Sequence, residues 1–215
     1  AMLADAVHDT ALEVRLHAML IMGEEPILSA EQLRWLRLAL QDAHPSVQRA
    51  AAHALSPHPA IDSIAPLLMR LHSQQDQDPQ LRHGLRLSLR NQFLADGAWD
   101  KVKNSGLSKS YRDLLIDVAP GVQSEGAAQF LVECMLHEPG QLIELNSIHL
   151  KHIAKHASKS SIDQLVAQIR VTNKKSPLDQ LVVFKTLSES MQSRSILLSP
   201  MMQLWGEEIA LRAIE

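Results

Sequence analysis

The chain has 215 residues and a formal charge of −3, and its 46% apolar share includes only 3% aromatic residues. A nucleic-acid-binding protein normally carries a basic excess, because phosphate neutralisation supplies most of its affinity, so we expect no nucleic-acid partner. No apolar run approaches the length of a transmembrane helix, and the single cysteine, Cys134, excludes an internal disulfide.

The composition favours helices over strands. Leu and Ala are abundant and only eight Gly are present. Ala and Leu lose little free energy in a helix, whereas aromatic and β-branched residues favour strands. No segment alternates with a period of two between hairpin turns. The sequence therefore predicts an all-α fold without a sheet.

Three helical segments in the first half of the chain repeat one another. Segments containing Val14, Val47 and Leu81 align at spacings of 33 and 34 residues. The second and third segments begin with His44-Pro45 and Asp78-Pro79. Proline in the first helical turn costs no hydrogen bond and presets φ, so both dipeptides predict helix starts.

Partner helices lie between the repeated segments. The pattern predicts them from Ser29 to Gln41 and from Ile61 to His72, and Ser29 with Gln32 can form a capping box. Two helices per unit, with a period in the thirties, are typical of a solenoid of antiparallel helix pairs.

The second half is also predicted to be helical, with less regular spacing. Turn formers between residues 97 and 107 suggest a subdomain boundary, which divides the chain into residues 1–97 and 98–215, although one continuous stack could cross it. The predicted helices after this boundary are Lys109–Val118, Glu125–His137, Gln141–His156, Ser161–Val171, Pro177–Gln192 and Pro200–Ile214.

With its repeats aligned, the chain resembles the HEAT-repeat superfamily. More narrowly, it is similar to the helical-repeat region of exported bacterial proteins described as putative membrane-bound dehydrogenases with a haem-binding domain. The stretches that carry this resemblance are Asp78–Arg90, Asp117–Leu131 and His152–His156. The resemblance implies a right-handed superhelix of antiparallel helix pairs, and a spacer or docking module of an exported, periplasmic or otherwise extracytoplasmic parent. The family's redox chemistry does not follow, because this chain has no Cys-x-x-Cys-His motif.

Three histidines form the first candidate site. His149, His152 and His156 fall on one side of a predicted helix, where three imidazoles could bind Zn²⁺ or a related metal. The same side also carries Leu142 and Leu145. The alternative is therefore that these histidines are core or inter-helix residues without a metal, and we predict no bound cofactor.

Three arginines form the second candidate site. Arg82, Arg86 and Arg90 are spaced four residues apart beside a leucine stripe, and like charges at that spacing repel unless they are compensated. Such a ridge could bind acidic groups of a partner, because one helix of each pair usually lines the concave surface of a solenoid. Neutralisation by neighbouring acidic residues is the alternative.

Common catalytic motifs are absent, including G-x-x-x-x-G-K-[ST], G-x-G-x-x-G, G-x-S-x-G and H-E-x-x-H. The sequence therefore favours a non-enzymatic interaction or spacer module whose partner is another protein or flanking domains of the same parent. Two alternatives remain open: a metal-linked accessory region of a redox parent, and a HEAT-like DNA glycosylase, which would need a basic cleft.

Overall fold

The computed structural model describes residues 2–74, 78–137, 147–172 and 177–214. These residues form thirteen α-helices and two short 3₁₀ turns and contain no strand, which confirms the all-α prediction. No helix in the described part of the chain has both the length and the apolar content needed to span a bilayer. The helices are α1 (Met2–Ala6), α2 (Leu12–Glu24), α3 (Ala30–Ala39), α4 (Pro45–Leu55), α5 (Ile64–Ser73), α6 (Pro79–Gln92), α7 (Ala98–Lys103), α8 (Lys109–Val118), α9 (Glu125–His137), α10 (Ser147–His156), α11 (Lys159–Thr172), α12 (Pro177–Gln192) and α13 (Pro200–Ile214).

The predicted start signals at Ser29 and Asp78 cap α3 and α6. Ser29 accepts a hydrogen bond from the Gln32 amide, and the Gln32 side chain accepts one from the Ser29 amide, so the capping box is present. The Asp78 carboxylate accepts hydrogen bonds from two amides in the first turn of α6, both at 3.0 Å. Each cap satisfies amides that have no partner within the helix.

The turn-rich segment after α6 contains a helix that we did not predict. Gly97 has a φ of +74°, a left-handed conformation that favours glycine, and α7 begins at the next residue. Trp99 of α7 stacks on Phe93, with ring centroids 4.0 Å apart, and is almost fully buried. Burial of this aromatic pair explains why a short helix forms among turn formers.

The chain divides into two compact units, Ala1–Val118 and Ala119–Glu215. Helices α7 and α8, which follow the boundary predicted from turn formers, belong to the first unit. Within this unit α2 contacts α4, and α4 contacts α6. Helix α3 packs against α4, and α5 packs against α6. The helices of the repeated segments therefore pack against one another in order.

Burial follows the repeat register along these helices. The aligned positions Ala18, Ala51 and Leu85 are all buried, and so are Met22, Leu55 and Leu89. The three positions by which the segments were aligned are less uniform: Val47 and Leu81 are buried, whereas Val14 is 38% exposed. The spacing of 33 and 34 residues thus corresponds to equivalent core positions in two of the three sets.

A chain of polar contacts also connects the helices of the first unit. The Arg15 guanidinium donates to both carboxylate oxygens of Asp42, at 2.7 and 3.1 Å, which holds the pKa of Asp42 below its usual value. The Gln48 amide donates to the Asp42 carbonyl oxygen, and its own oxygen accepts from Arg70 at 2.7 Å. These bonds link α2, the α3–α4 turn, α4 and α5.

The second unit has a comparable order of contacts. Helix α9 contacts α11, α11 contacts α13, and α10 contacts α12. The Ser161 hydroxyl of α11 donates a hydrogen bond to the side-chain oxygen of Gln129 in α9, at 2.6 Å. Arg170 of α11 forms an ion pair with Glu208 of α13. Trp205 of α13 is fully buried, edge-on to Phe184. Residues 141–146 of the predicted Gln141–His156 helix lie outside the described residues.

Two glycines test how closely the helices of the first unit pack. A Cβ at Gly23 of α2 would lie 3.3 Å from the Cβ of Ala54 in α4, whereas a Cβ at Gly84 of α6 would meet no atom of the described residues within 4 Å. We predict that Gly23→Val lowers the free energy of unfolding by about 1–3 kcal/mol, because the branched side chain overpacks this contact.

The same substitution at Gly84 serves as the control. Gly84→Val should be neutral or slightly stabilising, and Gly84→Ala should raise the free energy of unfolding by about 0.5–1 kcal/mol, since it removes the entropic cost of a helical glycine. Urea denaturation of the three variants measures these changes. Equal effects of valine at the two positions would contradict the close approach of α2 and α4.

Candidate functional site

The arginine ridge lies on α6, where Arg82, Arg86 and Arg90 are all partly buried. Arg86 pairs with the Asp117 carboxylate at 2.5 Å. Arg90 donates to the Asn91 side-chain oxygen at 3.1 and 3.2 Å, and Arg82 also interacts with another group of the chain. The ridge therefore has intramolecular partners, which lowers the free energy that an external anion could gain by binding there.

Asn91 connects this ridge to the end of α4. Its side-chain amide donates to the Ser56 hydroxyl at 2.8 Å and to the Ser56 carbonyl oxygen at 3.3 Å, just after the end of α4. Arg90 is thus held by a residue that itself bridges two helices. Arg86 has 37% of its side chain exposed, and docking of a partner at the ridge stays a prediction.

The histidine cluster lies on α10, in the second unit. The His152 and His156 ring centroids are 4.6 Å apart, and His149 is half-buried one turn earlier. His152 is only 5% exposed, and its Nε2 has no hydrogen-bond partner among the residues that the structure describes. Leu142 and Leu145, which share the predicted apolar side of this helix, lie outside the described residues.

Positive groups surround this cluster. The Arg194 guanidinium donates a hydrogen bond to the Ala154 carbonyl oxygen at 3.0 Å. Burial, and then the charges of Arg194 and Lys155, lower the pKa of His156. Burial, and then the other two histidines and Lys155, lower the pKa of His152 to about 4. Within the described ranges, no group of three or more His, Cys, Asp or Glu side chains is placed to hold a metal ion.

An apolar hollow in the first unit was not singled out from the sequence. It has a volume of about 310 Å³ and lies between α5, α7 and the residues leading into α8. Its buried part is formed by Ile64, Leu68 and Val102, whereas Ala65 and Met69 are exposed at its mouth. Concave apolar sites of this size are common in ligand binding.

Polar groups are few in this hollow. At the start of α5, Lys101 pairs with Asp62 at 3.0 Å, and both side chains are mostly exposed. At the other end, the Tyr111 ring lies edge-on to His72, with centroids 5.0 Å apart. No motif marks this site, because its lining comes from three separate segments; an apolar Leu107 within turn formers is the one local signal.

Comparisons with known proteins identify no family. Neither family models nor curated proteins match this chain. Among solved structures, a crystal structure of an engineered protein is 16% identical, with 89% of this chain and 95% of that chain covered and a TM-score of 0.42. Similarity at this level carries no conclusion about fold or function.

The buried histidine predicts an acid-sensitive stability. The pKa of His152 is about 4 in the folded chain and 6.5 as its ordinary value, so the unfolded chain takes up a proton first as the pH falls. The stabilising contribution of neutral His152 is therefore present above pH 6.5 and is lost as the pH falls toward 4.

We predict that the free energy of unfolding falls by about 1–3 kcal/mol across this window through His152. Urea denaturation at several pH values measures the fall, and His152→Phe should reduce it. His83→Phe on the exposed side of α6 is the matched control, in which the fall attributed to His152 should persist. Identical slopes for the wild-type chain and His152→Phe would contradict this assignment.

Proposed function

We propose that this chain is a non-catalytic protein-interaction or spacer module built from stacked helix pairs of the HEAT kind. The observation that supports the proposal most is the ordered packing of α2, α4 and α6 with equivalent buried positions at 33 and 34 residues. Each repeat of a solenoid buries its apolar side against its neighbours and leaves broad surfaces for other proteins.

The alternating contacts of the second unit support the same proposal. Helices α9, α11 and α13 form one series of contacts, and α10 and α12 form another. Polar side chains between these helices bond to one another, as in the hydrogen bond from Ser161 to Gln129 and the ion pair of Arg170 with Glu208. Structural cross-links of this kind suit a scaffold better than an active site, where polar groups converge on a substrate.

The proposed partner surface is the exposed side of α6, with its neighbours in α4. Arg49 of α4 bonds Gln80 of α6, and Arg82 and Arg86 follow along the same helix. A partner with acidic side chains would compete with Asp117 for Arg86. We therefore expect acidic peptides to bind with moderate affinity and with marked sensitivity to salt.

A peptide-display selection against the purified chain tests this function. We predict saturable binders enriched in acidic residues, whose affinity falls about tenfold or more in Arg82→Gln/Arg86→Gln, because two charge-assisted contacts are lost. The matched control is Arg34→Gln/Arg37→Gln on α3, which removes the same charge elsewhere and should bind the peptides normally.

Two results would count against the proposal. Absence of any saturable binder would contradict an interaction role and leave only the spacer role. Binders that lose affinity equally in both double variants would indicate a response to net charge alone, and would contradict docking at the ridge.

A further inference from the structure

The hollow beside α5 holds water poorly. Its volume of about 310 Å³ gives room for several water molecules, but most of its lining is aliphatic and includes Ile64, Leu68 and Val102. A well-held internal water needs about two to four polar partners, which this lining does not supply for each of them. An apolar molecule that displaces such poorly ordered water gains affinity. The interior of the hollow therefore favours an apolar ligand.

The charges that line the hollow cancel. Among the described residues, the lining contains one cation and one anion, Lys101 and Asp62, and these two side chains pair at 3.0 Å. A ligand with a charge of either sign would lose hydration on entering an aliphatic site, and the lining group of opposite charge is already paired. The charge distribution therefore selects against both anions and cations and in favour of an uncharged ligand.

Tyr111 supplies the hollow with a hydroxyl that can bond a ligand. Its ring lies edge-on to His72, and its hydroxyl has no hydrogen-bond partner in the part of the chain that the structure describes. The other hydroxyl of the lining, that of Ser105, already donates to the Val102 carbonyl oxygen at 2.7 Å. A phenol hydroxyl both donates and accepts, so Tyr111 can bond one hydroxyl group of an otherwise apolar ligand.

We propose that this hollow binds a compact, uncharged apolar molecule that carries a single hydroxyl group, with that hydroxyl at Tyr111. An apolar cavity of about 150 Å³ is enough for benzene, so a volume of about 310 Å³ has room for a bicyclic ring system of about ten non-hydrogen atoms. A rigid ring system also loses less conformational freedom on binding than a flexible chain of the same size. The site goes beyond the interaction role proposed above and does not depend on it.

Calorimetric titration with naphthalene derivatives tests the ligand class, because these compounds share one ring system and differ in a single group. We expect 2-naphthol, which is uncharged at neutral pH, to bind best. The anion 2-naphthoate and the cation 2-naphthylmethylammonium should each bind about tenfold or more weakly than 2-naphthol, since neither charge meets an unpaired counter-charge in the hollow. Affinity for either charged compound equal to or above that for 2-naphthol would overturn the proposal.

Two variants separate the hydrogen bond from the charges. Tyr111→Phe keeps the ring and should weaken 2-naphthol about two- to tenfold, the loss expected for one neutral hydrogen bond, while naphthalene binds as before. Lys101→Met should change the affinity for 2-naphthol by less than about twofold, because the exposed pair with Asp62 takes no part in binding. Unchanged affinity in Tyr111→Phe, or a tenfold loss in Lys101→Met, would contradict the assignment.

A second pair of variants locates the site. Ala65→Trp places a large ring at the exposed mouth of the hollow and should abolish binding of 2-naphthol. Ala30→Trp makes the same change at an exposed position of α3, outside the hollow, and should bind 2-naphthol normally. Equal affinities of the two variants would exclude the hollow as the binding site.

Methyl NMR provides a readout that does not rely on a fold-sensitive variant. In the wild-type chain, 2-naphthol should shift the resonances of Ile64, Val102 and Leu107 and leave those of Leu178 and Leu197, exposed leucines of the second unit, unchanged. Similar shifts at all exposed methyl groups would indicate non-specific adsorption and overturn the proposal. Tighter binding of N-acetyltryptophanamide than of 2-naphthol at the first three residues would overturn it too, since that result would assign the hollow to a side chain of a partner protein.

Discussion

Helix α4 carries apolar side chains around most of its circumference, so it has to be covered on more than one side. Its buried residues include Val47, Leu55 and four alanines, at positions 50, 51, 52 and 54. Alanine lets neighbouring helices approach closely, and the Gly23 backbone of α2 comes near Ala54 for this reason. The positions of α2, α3 and α6 around α4 follow from this requirement, since each contributes apolar surface that would otherwise face water.

The candidate sites lie on surfaces that remain exposed or partly open after the helices have packed. Burial of one side of α6 holds the arginines of its other side in a row, where Asp117 and Asn91 bind two of them. Packing of α5 against α6 and α8 leaves the apolar hollow partly open. In the second unit, the burial of α10 forces His152 into an apolar environment, where its neutral form is favoured. Each site is therefore a consequence of helix packing.

Helix positions were predictable from the sequence because their signals are local. Proline and capping residues at His44-Pro45, Ser29 and Asp78 act within a single turn, and the repeat spacing located equivalent core positions such as Ala51 and Leu85. The segment around α7 was not predictable in this way. The chain does turn there, since Gly97 adopts a left-handed conformation. The burial of Trp99 against Phe93, however, stabilises a helix directly after that turn.

The candidate sites were predictable only in part. The histidines and arginines share helix sides, as their spacing indicated, but their partners are distant in sequence. Arg194 approaches α10 from the end of another helix, and Asp117 reaches Arg86 from α8. The hollow was not predicted, because its lining comes from segments that meet only in the folded first unit, and Leu107 alone does not define a site. Partners that are brought together by tertiary packing leave no periodic signal in the sequence.

Native-state hydrogen exchange of a core variant tests the mutual burial of α4 and α6 most directly. Leu85 is fully buried on α6, at the position equivalent to Ala51 of α4. If the two helices stabilise each other, Leu85→Ala should lower the free energy of the opening that exposes amides to exchange, by a similar amount in α4 and in α6. The expected decrease is about 2–5 kcal/mol, the usual cost of a leucine-to-alanine change in a core. Loss of protection in α6 alone, with α4 unchanged, would contradict the account.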